Sequence, residues 1–225
     1  MHVKRYTIPK YWKVKKKANK FVVAPRPGPH KKYESIPLLV VLRDVLKLCA
    51  DAGEARSVVK KGEILVDKRA RKDPNYPVGF MDVIEIPKVH KAYRVMVDKH
   101  GLALHEIKHE EAGRKLCRIQ QKRKIKGGMI QLNLHDGRNV LTDKNDYRPN
   151  DSVLIELPDQ KILQHFSFDK DAPAIIIAGK NIGVHGKVKE IFERKTMLES
   201  SRVILQTKDG DIETVKEYVL VGEIK

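Results

Sequence analysis

The sequence predicts an α+β chain assembled from several small modules. Three observations carry that expectation: a step in charge near residue 35, a stretch of helical periodicity just after it, and short alternating strands from there onward. The chain has 225 residues, more than the roughly 100–200 of a usual single domain. Composition shifts divide it into a basic arm (1–35), a small two-helix-plus-strand unit (36–90), a β-rich centre (91–172) and a terminal barrel of short strands (173–225).

The arm comes first because it carries most of the charge. Residues 1–35 hold eleven basic residues and one acid, Glu34, so +10 of the chain's net +17 sits there. Pro9, Pro25, Pro27 and Pro29 rule out a long helix and favour extended backbone. Tyr6, Tyr11, Trp12, Phe21 and Tyr33 stand among the cations. Rings interleaved with Lys and Arg suit a segment that follows a phosphate backbone while stacking on exposed bases. The expectation is an arm that is disordered alone and ordered on RNA. Lys4, Arg5, Lys10 and Lys13 would contact phosphate, as would Lys16, Lys17, Arg26 and Lys31, with Trp12 stacking and His30 close by. A membrane-surface helix would need an apolar face at 3.6 spacing, and Lys15-Lys16-Lys17 and the prolines spoil one.

After the arm, Leu38, Val41, Leu42, Val45, Leu46 and Cys49 recur at helical spacing, so a helix is expected from Pro37 onward. A second, Glu54–Lys61, turns Ala55, Val58 and Val59 inward and ends at Gly62. Alternation at Ile64–Asp67 and a strand at Val83–Ile86 complete the unit. Strands are next expected at Tyr93–Val97, Met129–Leu134 and Val153–Leu157. Ile175–Ile177, Val203–Leu205 and the segments around Ile212 and Val219 follow. A second basic cluster, including Arg114, Lys115, Arg118, Lys122, Arg123 and Lys124, lies in a stretch with no acid between Glu111 and Asp136. It reads as a solvated strand pair or a second phosphate contact.

Several function classes are disfavoured. The longest apolar stretch is the seven residues Ile36–Leu42, against the roughly 18–20 a membrane helix needs. The N-terminus lacks the apolar core of a secretory signal. Cys49 and Cys117 form no CxxC pair, so a reducing cytosol is expected and a cysteine zinc site is not. His105-Glu106-Ile107-Lys108-His109 matches HExxH literally, but Lys108 would crowd a zinc ion, the surroundings read as strand and loop, and no third ligand is apparent downstream. Gly186-Lys187 is followed by Val188 rather than Ser or Thr, and no GxGxxG occurs, so nucleotide hydrolysis is unsupported. No catalytic residue, metal site or cofactor is expected.

Two motifs add a resemblance. Glu54-Ala55-Arg56, Val59, Gly62, Glu63-Ile64-Leu65-Val66-Asp67, Val78-Gly79 and Asp82-Val83-Ile84 resemble the small RNA-binding module named after bacterial small-subunit ribosomal protein four. That resemblance implies RNA contact through Arg43, Arg56, Lys60, Lys61, Lys68 and Arg69. Gly179, Gly183 and Gly186, with Val188 and Ile191, resemble the KOW motif and imply an SH3-like barrel, in which glycines let another backbone come near. His185 departs from the basic residue expected in that turn. The opening segments Val3-Lys4-Arg5, Pro9-Lys10, Trp12 and Pro27-Gly28-Pro29-His30-Lys31, with Glu34–Leu38, complete the order. Along almost its whole length the chain resembles the e-type small-subunit ribosomal protein four family, in its archaeal form. This implies a structural constituent of the small ribosomal subunit, cytoplasmic and within the ribosome. Its partners would be ribosomal RNA and neighbouring ribosomal proteins, with no membrane and no small-molecule substrate. Two alternatives remain: a KOW-containing transcription or ribosome-assembly factor, and an RNA-modifying enzyme such as a pseudouridine synthase. Asp136-Gly137-Arg138 continues as Asn139-Val140, a departure from the second pattern.

Overall fold

A computed structural model describes residues 2–15, 17, 20–194, 196 and 199–223. The described residues are mostly β with two short α-helices. It divides into two compact units. The first comprises Met1–Met96, His100–Lys115 and Leu157–Asp159; the second comprises Val97–Lys99, Leu116–Glu156 and Gln160–Lys225.

In the first unit, strand β1 (His2–Lys4) pairs antiparallel with β2 (Phe21–Val23), and Val3 faces Val22. Strand β3 (Ser35–Pro37) leads into α1 (Leu38–Val40), which continues as a wider π-type turn over Val41–Val45. The expected single helix is therefore cut short. Leu46 N–H reaches back five residues to Val41 O at 2.9 Å, and Lys47 adopts a left-handed φ of 55°. All of Leu38–Leu42 is buried. The 3.6-residue stripe thus captured only part of an apolar surface that is covered all round.

Helix α2 (Ala52–Lys60) begins two residues earlier than expected, because Asp51 caps it by accepting from Glu54 N–H at 2.8 Å. The Glu54 carboxylate accepts in turn from Ala50 N–H at 2.7 Å. Strands β4 (Leu65–Val66) and β5 (Arg69–Ala70) are joined by Asp67 and Lys68, both at positive φ, as a tight two-residue hairpin demands. Strands β6 (Pro77–Gly79), β7 (Val83–Ile86), β8 (Lys91–Asp98) and β9 (Gly101–Ile107) follow. The main sheet has the order β5-β4-β7-β8-β9, and β3 pairs with β6.

The arm expected to be disordered is instead built into this unit. Ile8, Trp12 and Val22 belong to one apolar cluster with Ile36, Leu38–Leu42, Val59, Ile84 and Val95. Backbone bonds tie the prolyl stretch down: Arg26 N–H donates to Asn75 O at 2.9 Å, and the Asn75 side-chain amide donates to Ala24 O at 3.1 Å. Order here comes from packing against neighbours distant in sequence, which no local periodicity announces.

In the second unit, β10 (Arg114–Lys124), β11 (Ile130–Leu134), β12 (Asn139–Thr142), β13 (Ser152–Glu156) and β14 (Ile162–Phe166) form a sheet ordered β12-β11-β10-β13-β14. Strands β15 (Pro173–Ile176), β16 (His185–Phe192), β17 (Arg202–Thr207), β18 (Gly210–Val215) and β19 (Val219–Val221) form another, ordered β18-β17-β16-β15-β19. Ile176, Val188, Val203, Leu205, Val219 and Val221 are among its core residues. At two of the glycines expected to let another backbone come near, the neighbour is the chain's own backbone; at Gly179 it is the Tyr218 ring. A Cβ on Gly183 would lie 2.6 Å from the Asp98 carbonyl carbon, and one on Gly186 would lie 2.6 Å from Gln206 O.

Candidate nucleic-acid interface

Exposure and existing partners separate the predicted cations into those that are available and those already engaged. On the arm, Lys4, Lys10, Lys13 and Lys17 are exposed. Lys16 lies outside the described residues. Arg5 is engaged, its guanidinium donating to the carbonyl oxygens of Val14 and of Lys15, the latter at 3.2 Å. Arg26 pairs with Asp73 at 3.3 Å and Lys31 with Glu34 at 3.3 Å, both exposed pairs of the weak kind.

Two arm residues are corrected outright. Trp12 is 3 % exposed, and its indole Nε1–H donates to Ser35 O at 3.0 Å. A ring inside the core cannot stack on a base. The His30 ring is buried with its Nε2 3.0 Å from the Asp82 carboxylate. Gly79 makes room for that ring, since a Cβ there would lie 2.2 Å from His30 Cγ. Next to Trp12, burial pushes the Tyr11 phenol up to about 12, and its hydroxyl donates to Tyr33 O at 2.7 Å.

On the helical module, Arg56 and Lys60 are four residues apart and share the outer face of α2, with Lys61 at its end; all three are exposed. Arg69 is exposed on the β4–β5 hairpin. Lys68, on the same turn, is bound to the largely buried Glu85 carboxylate at 2.7 Å. Arg43 is half-buried and turned onto its neighbour Asp44 at 2.7 Å.

The second basic cluster divides in the same way. Arg118 donates to Glu217 O. Lys122 Nζ donates to the carbonyl oxygens of Asn145 and Tyr147 at 2.8 and 2.9 Å. Arg123 and Lys124 are exposed, as is Lys126 next to Gly127 and Gly128, whose φ values of 87° and 80° make the tight turn.

Lys115, read above as one of that cluster, is wholly buried. Its Nζ lies 2.7 Å from Asp67 Oδ2 and 2.6 Å from Asp82 Oδ1. Burial alone would raise the Asp82 carboxyl, but Lys115 and His30 outweigh it and hold it well below the usual carboxylate range. Sequence reasoning missed this cluster, because His30, Asp67, Asp82 and Lys115 stand 15 to 85 residues apart in the chain. The nearest signal was the presence of Asp67 and Asp82 within the RNA-module motif.

The HExxH match has the wrong geometry for zinc. His105 lies within β9 and His109 in the turn after it, so the two do not share a helical face. Among the described residues no helix is long and apolar enough to cross a membrane.

Three family models match segments of the chain. Residues 1–33 match the RS4NT (NUC023) domain, residues 36–84 the S4 domain, and residues 89–162 the ribosomal family S4e. Small ribosomal subunit protein eS4 of Methanothermobacter thermautotrophicus is 43 % identical over 98 % of this chain and 91 % of its own. The protein of the same name from Archaeoglobus fulgidus is 42 % identical over 98 % of this chain and 92 % of its own. The crystal structure of the 30S ribosomal protein S4e from Thermoplasma acidophilum superimposes with a TM-score of 0.72 at 30 % identity, covering 84 % of this chain and 94 % of that one. The chain belongs to the S4e family of small ribosomal subunit proteins.

Proposed function

We infer that this chain is a structural, non-catalytic constituent of the small ribosomal subunit, sited in the cytoplasmic ribosome, where it binds ribosomal RNA beside neighbouring ribosomal proteins. The observation that carries this is the kinship with proteins named eS4 over 98 % of the chain. The exposed Arg56, Lys60, Lys61 and Arg69 on the segment that matches the S4 domain support it. Kinship with a family of ribosomal proteins favours this reading over a KOW-containing transcription or ribosome-assembly factor and over an RNA-modifying enzyme such as a pseudouridine synthase.

The mechanism we propose is clamping by several modules: arm 1–35, helical module 36–90, central β-rich module 91–172 and a KOW-type, SH3-like barrel 173–225. Phosphate is held by Lys4, Lys10, Lys13 and Lys17 of the arm. Arg56, Lys60, Lys61 and Arg69 hold it on the helical module, and Arg123 and Lys124 on the β10–β11 hairpin. Arg5, Arg43, Lys68, Arg118 and Lys122 support the fold around those sites through the bonds they already make. Arg26 and Lys31 lie at the edge of the arm in weak pairs that phosphate can displace.

Neutralising about 6–10 phosphates makes affinity for RNA fall by roughly 10³–10⁵ between 50 and 200 mM salt. A salt titration of the purified chain against small-subunit ribosomal RNA is expected to show that slope. A flat response would contradict the clamp.

A further inference from the structure

This inference rests on the RNA-binding reading and deepens it by assigning a site for unpaired bases. The β1–β2 ribbon has two unlike faces. Val3 and Val22 pair on the inward face and pack against the core. Lys4 pairs with Phe21 on the other, and His2, Lys4 and Phe21 are all exposed. The pairing continues past the ribbon, since Arg5 N–H donates to Lys20 O at 3.0 Å. One residue further on, Tyr6 is 94 % exposed.

Phe21 is 44 % exposed, yet its ring is held in place. The His2 ring packs against it edge-on, with centroids 4.5 Å apart at 65°. Lys20 Nζ sits 5.6 Å from its centroid. Large rings that are turned outward and oriented contribute little to folding, and they leave apolar surface in water. The buried Trp12 shows the alternative use of an arm aromatic.

Charge decides the occupant. No acid occurs before Glu34; Lys20 Nζ lies by the Phe21 ring, Lys4 is its register partner, and Lys4 and Arg5 precede Tyr6 in sequence. A partner that offers a flat apolar face together with negative charge fits: a nucleotide base with its phosphate. Paired bases in a duplex keep their faces stacked on one another, so only unpaired bases are available. We propose that the outward face of the β1–β2 ribbon, together with the 3-10 turn Arg5–Thr7 that follows β1, is a stacking platform for unpaired RNA bases, with Tyr6 and Phe21 as the stacking rings and Lys4 and Lys20 holding the adjoining phosphates.

The test uses the full chain, a fluorescent single-stranded oligoadenylate and an RNA duplex of equal length, with binding read by anisotropy at several salt concentrations. Tyr6→Leu combined with Phe21→Leu keeps apolar bulk and removes the rings. It is expected to weaken single-strand binding at least about tenfold with an unchanged salt slope, and to leave duplex binding within about twofold. Lys4→Gln with Lys20→Gln is expected to reduce the salt slope instead, by about 1–2. Tyr6→Phe with Phe21→Tyr restores single-strand affinity, which separates a lost ring from a damaged fold. Single-strand binding unchanged in the leucine variant, or an equal loss on the duplex, overturns the platform while leaving the clamp intact. A parent chain that binds neither RNA overturns both.

Discussion

Replacing Lys115 with methionine is expected to destabilise the first unit by about 3–5 kcal/mol, the cost of leaving buried carboxylates without their counter-charge. The Lys115 side chain is fully buried between Asp67 and Asp82, at 2.7 and 2.6 Å. Each aspartate is also tied to backbone: Asp67 accepts from Val83 N–H at 3.0 Å, and Asp82 from Gly79 N–H at 2.9 Å. They join the β4–β5 hairpin to β7 and cannot swing out to water. Asp82 adds the arm to this network through His30.

The pH dependence follows in sign. The Asp82 carboxyl is held below its unfolded value. Its contribution is therefore complete above roughly pH 4 and is lost as pH falls below that. In Lys115→Met the burial that raises the Asp82 carboxyl is opposed by His30 alone, so the Asp82 carboxyl is expected to move up and this variant to lose less stability than the parent as pH falls. Thermal melts above and below roughly pH 4 read the difference. Lys115→Met combined with Asp67→Asn and Asp82→Asn removes the stranded charges and is expected to recover most of the loss. A single variant that melts within about 1 kcal/mol of the parent would show that the buried lysine is not what compensates these aspartates.

Trp12→Ala is expected to cost about 3–5 kcal/mol as well, by opening a large cavity and leaving the Ser35 carbonyl unpaired. Trp12→Phe keeps most of the ring and is expected to cost under half as much. Because Trp12 is the chain's single tryptophan, its fluorescence reports directly on the assignment. Emission is expected to be blue-shifted in the folded chain and to shift little on saturation with RNA. Strong quenching by RNA, with urea unfolding of Trp12→Ala unchanged, would return Trp12 to the RNA surface. For the same reason, removing the arm should unfold the helical module rather than release it intact.

Much of the architecture was legible where the pattern is local. The second helix, expected over Glu54–Lys61 and found over Ala52–Lys60, and the alternation leading to β4 announce themselves within ten residues, although the Asp51 cap that starts the helix two residues early was not read. What was not legible depends on partners far along the chain. Trp12 resembles any other ring among lysines until Ser35 and the α1 segment close over it. Lys115 looks like one more cation of a basic run, and its inward direction is set by Asp67 and Asp82. Charge arithmetic identified a polyanion partner but not which cations face it. Arg118 and Lys122 are spent on the chain's own carbonyl groups, while Arg123 and Lys124 beside them are exposed.

The central claim is that one set of cations and rings faces ribosomal RNA while another set builds the fold. Ultraviolet crosslinking of purified small subunits, with the RNA-modified peptides mapped by mass spectrometry, tests it most directly. The account predicts adducts on peptides that contain Tyr6, Phe21, the Arg56–Lys61 face of α2, Arg69 and Arg123–Lys124, and none on Trp12, His30 or Lys115. Small subunits that lack this chain, or that carry adducts on the buried set and not on the exposed one, would contradict it.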